Sequence, residues 1–108
     1  MRILILTPTA LPSVTGNAMT AERWRGSLAA RGEDVRVLAA EGLRAAALAR
    51  ELRTFSPEIL HAHHAHRTGS LLLDPAVQPA CDGMSLVVSP GGTDVHLDLK
   101  MKERREVV

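Results

Sequence analysis

The sequence predicts an α/β fold with a doubly wound parallel sheet of about four strands in the order 2-1-3-4. Short apolar runs alternate with segments of helical spacing along the whole chain. The first run, Arg2–Thr7, is continuously apolar, as expected for a strand that is covered on both faces in the middle of a parallel sheet. Each later run follows a segment long enough to cross over one face of such a sheet.

The first strand is followed by a loop and a helix. Pro8 closes the strand, and the segment Thr20–Arg31 then has helical spacing, with Thr20 as a candidate N-cap and Gly32 as the stop. The apolar positions of this helix are Ala21, Trp24, Leu28 and Ala29.

Two further strands enclose a second helix. Val35–Ala39 is the second predicted strand, and Gly42–Phe55 is rich in alanine, leucine and arginine, which favour helix. Ser56–Pro57 ends that helix. The third strand, Glu58–Ala62, runs directly into a group of histidines, so polar side chains are expected at the rim of the sheet.

The last third of the chain is less regular. Thr68–Leu73 begins as a helix that Pro75 and Pro79 interrupt, which predicts two short helical pieces or a helix and a loop. Ser85–Ser89 is the fourth strand. The helical pattern Asp98–Val108 has no stop signal, so we expect a truncated single domain over residues 1–108.

Composition excludes several classes of function. A formal charge of +1 and a single Phe and Trp give little with which to bind phosphates or stack bases, so no nucleic-acid partner is expected. The lone Cys81 cannot form an internal disulfide, and Met1–Leu6 is too short for a signal sequence or a membrane span. The chain is therefore expected to be cytoplasmic.

Three loops should meet where the chain reverses direction between the first and third strands. They are Pro8–Gly16, His61–Arg67 and Ser89–Asp94. In the first loop, Gly16 lets the backbone approach a ligand, and a helix start can bind an anion such as phosphate. A turn glycine with Asn17 or Thr as a capping residue explains the same residues. Neither a dinucleotide fingerprint nor a Walker A loop is present.

The histidines are compatible with two interpretations. On an extended strand His61 and His63 point to the same side, and such a pair can chelate a metal. The outline resembles the metal motif of metallo-β-lactamase-like hydrolases, but Ala65 stands where that motif has aspartate. In the other interpretation His61 is packed in the strand, and His64 and His66 are solvated. His63, at the strand tip, is the candidate for a ligand contact.

The fourth loop reads Ser89-Pro90-Gly91-Gly92-Thr93-Asp94. Its paired glycines, Gly91 and Gly92, permit the backbone to pass close to a ligand. Thr93 and Asp94 could bind sugar hydroxyls or cap the following helix. Both interpretations remain open from the residues alone.

Together these motifs resemble the N-terminal, acceptor-side Rossmann-like domain of GT-B glycosyltransferases of family 4, and the resemblance covers nearly the whole chain. It is carried by the first apolar strand, the glycine loop, Pro-Glu-Ile-Leu-His-Ala-His and Leu-Val-Val-Ser-x-x-Gly-Thr-Asp. Gly16-Asn17 with Thr20-Ala21-Glu22-Arg23-Trp24 is similar to the selenosugar synthase-like subgroup.

The resemblance implies retaining transfer of a sugar from a nucleotide-diphosphate sugar, with no cofactor and no required metal. It implies a substrate-binding role for the first loop, where Gly16 matches the glycine near the phosphates and Asn17 and Thr20 follow it. His63 matches the second histidine of the family's strand end. Gly92 and Asp94 match its His-Gly-x-Asp loop, with Thr93 between them, but Gly91 replaces the histidine, so only backbone contacts remain there.

The resemblance also implies a partner. Most donor contacts in the family belong to a C-terminal domain, so this chain is expected to be inactive alone, with an acceptor that the sequence does not identify. An alternative is a non-catalytic binding half of a two-chain assembly. Peripheral membrane contact would need one basic face, whereas ordinary solvated helix surface is the default for the arginines at 23, 25, 31, 44, 50 and 53.

Overall fold

A computed structural model describes residues 1–91 and residue 107. Within them, four parallel strands form one sheet in the order β2-β1-β3-β4, which confirms the predicted fold class and strand order. The strands are β1 (Arg2–Thr7), β2 (Asp34–Ala39), β3 (Ile59–His63) and β4 (Ser85–Ser89). The helices are α1 (Gly16–Ala30), α2 (Ala45–Phe55), α3 (Ala65–Leu72) and a short 3₁₀ helix (Gln78–Cys81).

Strand β1 lies in the middle of the core because its side chains are apolar on both faces. Ile3 and Ile5 pack on one face against Ala21 of α1. Leu4 and Leu6 pack on the opposite face against α2, where the buried partners are Leu48, Ala49, Leu52 and Phe55. Burying a leucine or isoleucine side chain stabilises the fold by about 1.5–3 kcal/mol, so β1 anchors both layers.

The helices that connect the strands lie on opposite faces of the sheet. Helix α1 covers one face on the way to β2, and α2 covers the other on the way to β3. Helix α3 adds Leu71 and Leu72 to the α2 side. The connections therefore diverge between β1 and β3, and this is the switch point at which parallel sheets bind ligands.

Helix boundaries differ from the sequence prediction at three starts. Helix α1 begins at Gly16, because the Oγ1 of Thr15 accepts the Ala18 N–H at 3.1 Å. Thr20 is therefore inside the helix, and its predicted role as N-cap is wrong. Helix α2 begins at Ala45 rather than Gly42, and α3 begins at Ala65 rather than Thr68. The predicted helix Asp98–Val108 lies outside the described residues, apart from Val107.

Strand β4 has apolar side chains that are exposed on both faces. Leu86, Val87 and Val88 are 57%, 46% and 49% exposed. Strand β2, at the opposite edge, instead has the charged residues Asp34 and Arg36 exposed. Charged edges resist pairing with other chains, so of the two edge strands in the described sheet β4 is the less protected against such pairing.

The arginines at 23, 25, 50 and 53 do not lie on one face of the described fold. Those at 23 and 25 are on α1, whereas those at 50 and 53 are on α2, and these helices cover opposite faces of the sheet. Arg25 is also paired with Glu22. No helix among the described residues is long and apolar enough to cross a membrane.

Candidate functional site

The carboxyl ends of β1, β3 and β4 bring polar side chains together at the switch point. Ser89 is paired in register with His63. Thr7 follows Leu6, the last β1 residue paired with β3, and so lies beside His63. Side chains alternate along a strand, so Thr7, His61, His63 and Ser89 all point to the face that α1 covers. The prediction that the strand ends converge is confirmed for these described residues.

A row of hydrogen bonds links β3, β4 and α1. The Oγ of Ser89 lies 2.8 Å from Nε2 of His61 and 3.0 Å from Nδ1 of His63. The Nε2 of His63 lies 3.1 Å from Oδ1 of Asn17, the second residue of α1. His63 is only 7% exposed. The row therefore fixes the ring of His63 between a hydroxyl and an amide.

Trp24 of α1 covers both histidine rings. It stacks on His61 with ring centroids 4.8 Å apart, and it meets His63 edge-on at 5.0 Å. Burial lowers the pKa of His61 below its ordinary value, and the nearby His63 lowers that pKa further. The prediction that His61 is a packed strand residue is correct, although its ring also bonds to Ser89.

The start of α1 offers backbone donors beside this row. Thr15 satisfies the N–H of Ala18, and its carbonyl oxygen accepts the N–H of Met19. Among the described residues, no hydrogen bond uses the N–H of Gly16 or Asn17. Two donors at the positive end of a 15-residue helix are suited to an anionic oxygen.

His64 has a structural role that the sequence does not suggest. It is 4% exposed, so the prediction of a solvated side chain is wrong for this residue. Its backbone has φ +75°, and its Nδ1 accepts the N–H of Arg67 at 3.4 Å at the start of α3. His64 therefore turns the chain from β3 into α3. His66, also expected to be solvated, is half-buried.

Gly91 lies directly against the ring of His64. A Cβ atom added at Gly91 would stand 2.9 Å from Cδ2 of His64, too close for any ordinary contact. The absence of a side chain at position 91 is therefore explained by packing against the buried histidine. The other predicted residues of this loop, Gly92, Thr93 and Asp94, lie outside the described part of the chain.

The carboxyl end of the sheet also contains a pocket, on the side that α2 covers. Its volume is about 280 Å³, and it is lined by Pro8, Ala40, Glu41 and Arg67. With a carboxylate and a guanidinium at its walls, it can hold a small polar group. Within residues 1–91 and 107, no three metal-ligating side chains are grouped closely enough to hold a metal ion.

The structure thus joins part of the predicted site. Gly16, Asn17 and His63 come together, and Gly91 lies one loop away against His64. Thr20 is half-buried within α1, and among the described residues no hydrogen bond joins it to the histidines. Two residues outside the predicted site, Ser89 and Trp24, are central to it. In the sequence, Ser89 stands at a strand end and Trp24 has helical spacing. Their contacts with the histidines, however, depend on how β3, β4 and α1 lie relative to one another.

Comparison with known proteins does not assign this chain to a family. No protein-family model matches the chain, and a search of curated proteins finds no match. The described residues form a Rossmann-like sheet of four parallel strands with helices on both faces.

Proposed function

We propose that this chain is the acceptor-side portion of a retaining glycosyltransferase that transfers a sugar from a nucleotide-diphosphate sugar. The hydrogen bond between His63 and Asn17 is the observation that carries the proposal. It joins the carboxyl end of β3 to the start of α1 across the switch point of a Rossmann-like sheet. This is the position at which such sheets bind nucleotide and sugar ligands.

The available donors suit a diphosphate or a sugar hydroxyl. The N–H groups of Gly16 and Asn17 point out of the positive end of α1, which favours a phosphate oxygen. The hydroxyl of Thr7, beside His63, is fully buried and has no hydrogen-bond partner within residues 1–91 and 107. Since buried hydroxyls are normally satisfied, a polar ligand atom at this edge would supply the missing partner.

The chemistry expected of such a site is placement and electrostatic stabilisation. Holding donor and acceptor together lowers the barrier to transfer, and helix N-termini stabilise charge on the departing diphosphate. The donor-side contacts would come from a second Rossmann-like domain. In this proposal His63 contacts substrate, and Gly91 contributes backbone only.

Ligand titration tests the proposal. In amide and imidazole NMR spectra, millimolar nucleoside diphosphate or inorganic pyrophosphate should shift the signals of Gly16, Asn17 and His63. Gly16→Pro, which removes one of the two backbone donors at a helix position that accepts proline, should weaken the interaction, whereas Ser27→Ala, on the exposed side of the same helix, should not. Absence of shifts at these three residues would overturn the proposed site. Sustained sugar transfer by the isolated chain would refute its assignment as an inactive half.

A non-catalytic half of a two-chain assembly is the second candidate, and the exposed edge strand favours it. Leu86, Val87 and Val88 leave β4 apolar on both faces. A partner strand or helix would bury this surface. Native mass spectrometry of the protein isolated from cells should then detect a stable heteromer, which Val87→Lys should dissociate. A monomer in every preparation would contradict this candidate.

A further inference from the structure

Asn17, at one end of the row of hydrogen bonds, determines which atoms donate and which accept along the whole row. The side-chain oxygen of Asn17 can only accept, so Nε2 of His63 donates a proton to it. In a neutral imidazole the other nitrogen, Nδ1, is then an acceptor. Ser89 must therefore donate its hydroxyl proton to Nδ1 of His63, and its Oγ accepts from Nε2 of His61. Every hydrogen bond in the row then runs in the same direction.

This order leaves one place for an additional proton. No hydrogen bond among the described residues uses Nδ1 of His61, and the ring is only half-buried. When His61 is protonated there, its Nε2 proton can pass to Ser89 while the hydroxyl proton of Ser89 passes to His63. Both steps cross hydrogen bonds of 3.0 Å or less. The positive charge moves from one ring to the other by the transfer of two protons, and no heavy atom has to move.

We propose that His61, Ser89 and His63 form a proton relay, which takes up a proton at Nδ1 of His61 and delivers one from Nε2 of His63 to a ligand oxygen. The ligand oxygen displaces the amide oxygen of Asn17. One proton enters and one leaves, so the relay ends neutral with its hydrogen bonds reversed. Accepting a proton from a ligand hydroxyl at Nε2 and releasing one at His61 restores the starting state.

The relay therefore acts as an acid in one direction and as a base in the other. Sugar transfer needs both, because the acceptor hydroxyl loses a proton and a departing oxygen can gain one. Only the identity of the ligand oxygen rests on the proposed function. His63 would be the catalytic residue that touches the ligand, and His61 and Ser89 would act through it.

The surroundings of the relay are compatible with a single shared charge. Among the described residues, the side chains that face the two rings are Asn17 and Trp24 from α1, Thr7 from β1 and Ser89 from β4. None of these is charged at neutral pH. Two positive rings on one hydroxyl would repel each other, so the second proton should bind at least tenfold more weakly than the first.

Long-range ¹H–¹⁵N NMR of the ligand-free chain tests the relay independently of nucleotide binding. Above pH 8 both rings should be in the Nε2–H form. On acidification the nitrogen signals of His61 and His63 should move together with one midpoint, because they share the first proton.

Substitutions at Ser89 separate a relay from simple packing. Ser89→Ala should split the common midpoint into two, and Ser89→Thr, which keeps the hydroxyl, should restore it. Ser85→Ala, at the start of the same strand, should leave it unchanged. An Nδ1–H form of His63 above pH 8, independent midpoints in the unmodified chain, or a common midpoint in Ser89→Ala would each overturn the proposal. The first two outcomes are decisive even if Ser89→Ala does not fold.

Discussion

Replacing Gly91 by alanine should destabilise the protein by pressing on one buried ring. The new Cβ would stand 2.9 Å from Cδ2 of His64, half an ångström inside the 3.4 Å at which ordinary contact begins. Gly91 is not among the glycines with positive φ, so the backbone itself accepts alanine. The cost must therefore come from displacing His64, which is 4% exposed and has little room to move.

The size of the effect follows from what His64 supports. Moving its ring breaks the bond from the Arg67 N–H that caps α3, and loss of a cap costs about 0.5–2 kcal/mol. Overpacking a buried site costs about 1–3 kcal/mol. Because the required shift is small, we expect a loss of about 1–2 kcal/mol, which lowers the Tm by about 4–16 °C in a domain of this size.

Urea and thermal unfolding measure this loss, and the chain provides a control of opposite sign. Nothing lies within 4 Å of a Cβ at Gly26, in the interior of α1. Gly26→Ala should therefore stabilise the protein by about 0.5–1 kcal/mol, because alanine favours helix over glycine. In a double-mutant cycle, Gly91→Ala should cost much less in a His64→Ala background. If Gly91→Ala destabilised the His64→Ala variant as much as the unmodified protein, the contact with the His64 ring could not be the cause.

Three further predictions concern other parts of the fold. Because the pKa of His61 is lowered from 6.5, the unfolded chain binds its proton more tightly. The free energy of unfolding should fall as the pH drops below about 6.5 and level off below the folded pKa, and urea titrations should show a weaker fall in His61→Asn. Thr15→Ala should cost about 1 kcal/mol by uncapping α1, whereas exposed Thr54→Ala should be near neutral; equal urea midpoints would contradict this. Leu52→Ala should cost about 2–5 kcal/mol by opening a core cavity, and Leu73→Ala, at 55% exposure, should stay within about 0.5 kcal/mol; similar losses would show that Leu52 is not core.

Local patterns predicted these strands well because each strand coincides with an apolar run in the sequence. Arg2–Thr7 and Ser85–Ser89 have the predicted bounds, since each apolar run is closed by proline. The start of α1 was predicted four residues too late, because Thr15 and Gly16 stand in a loop-like stretch and the capping bond depends on the fold. His64 was misjudged for a similar reason: Gly91, which lies against its ring, is far away in sequence.

The candidate site could be predicted only to the level of strand ends. His63, Asn17 and Gly16 were identified because they stand at the carboxyl edge, and parallel sheets bring such residues together. The roles of Ser89 and Trp24 could not be predicted in the same way. Whether Ser89 meets His63 depends on the β3–β4 register, and whether Trp24 covers the rings depends on the rotation of α1. Neither quantity is encoded in a local pattern.

The central place of β1 has a consequence for how the chain is synthesised and folds. Its neighbours arrive late, since Ile3 pairs with Val35 on one side and with Ile59 on the other. Strand β1 can therefore pair on its β2 side early, but its β3 side stays unpaired until Ile59 has been made, beyond the middle of the described chain. Unpaired apolar strands of this kind aggregate and are bound by chaperones. The β3 side of β1 is thus open to such contacts until β3 has been made, although Leu4, Ile5 and Leu6 are fully buried in the folded domain.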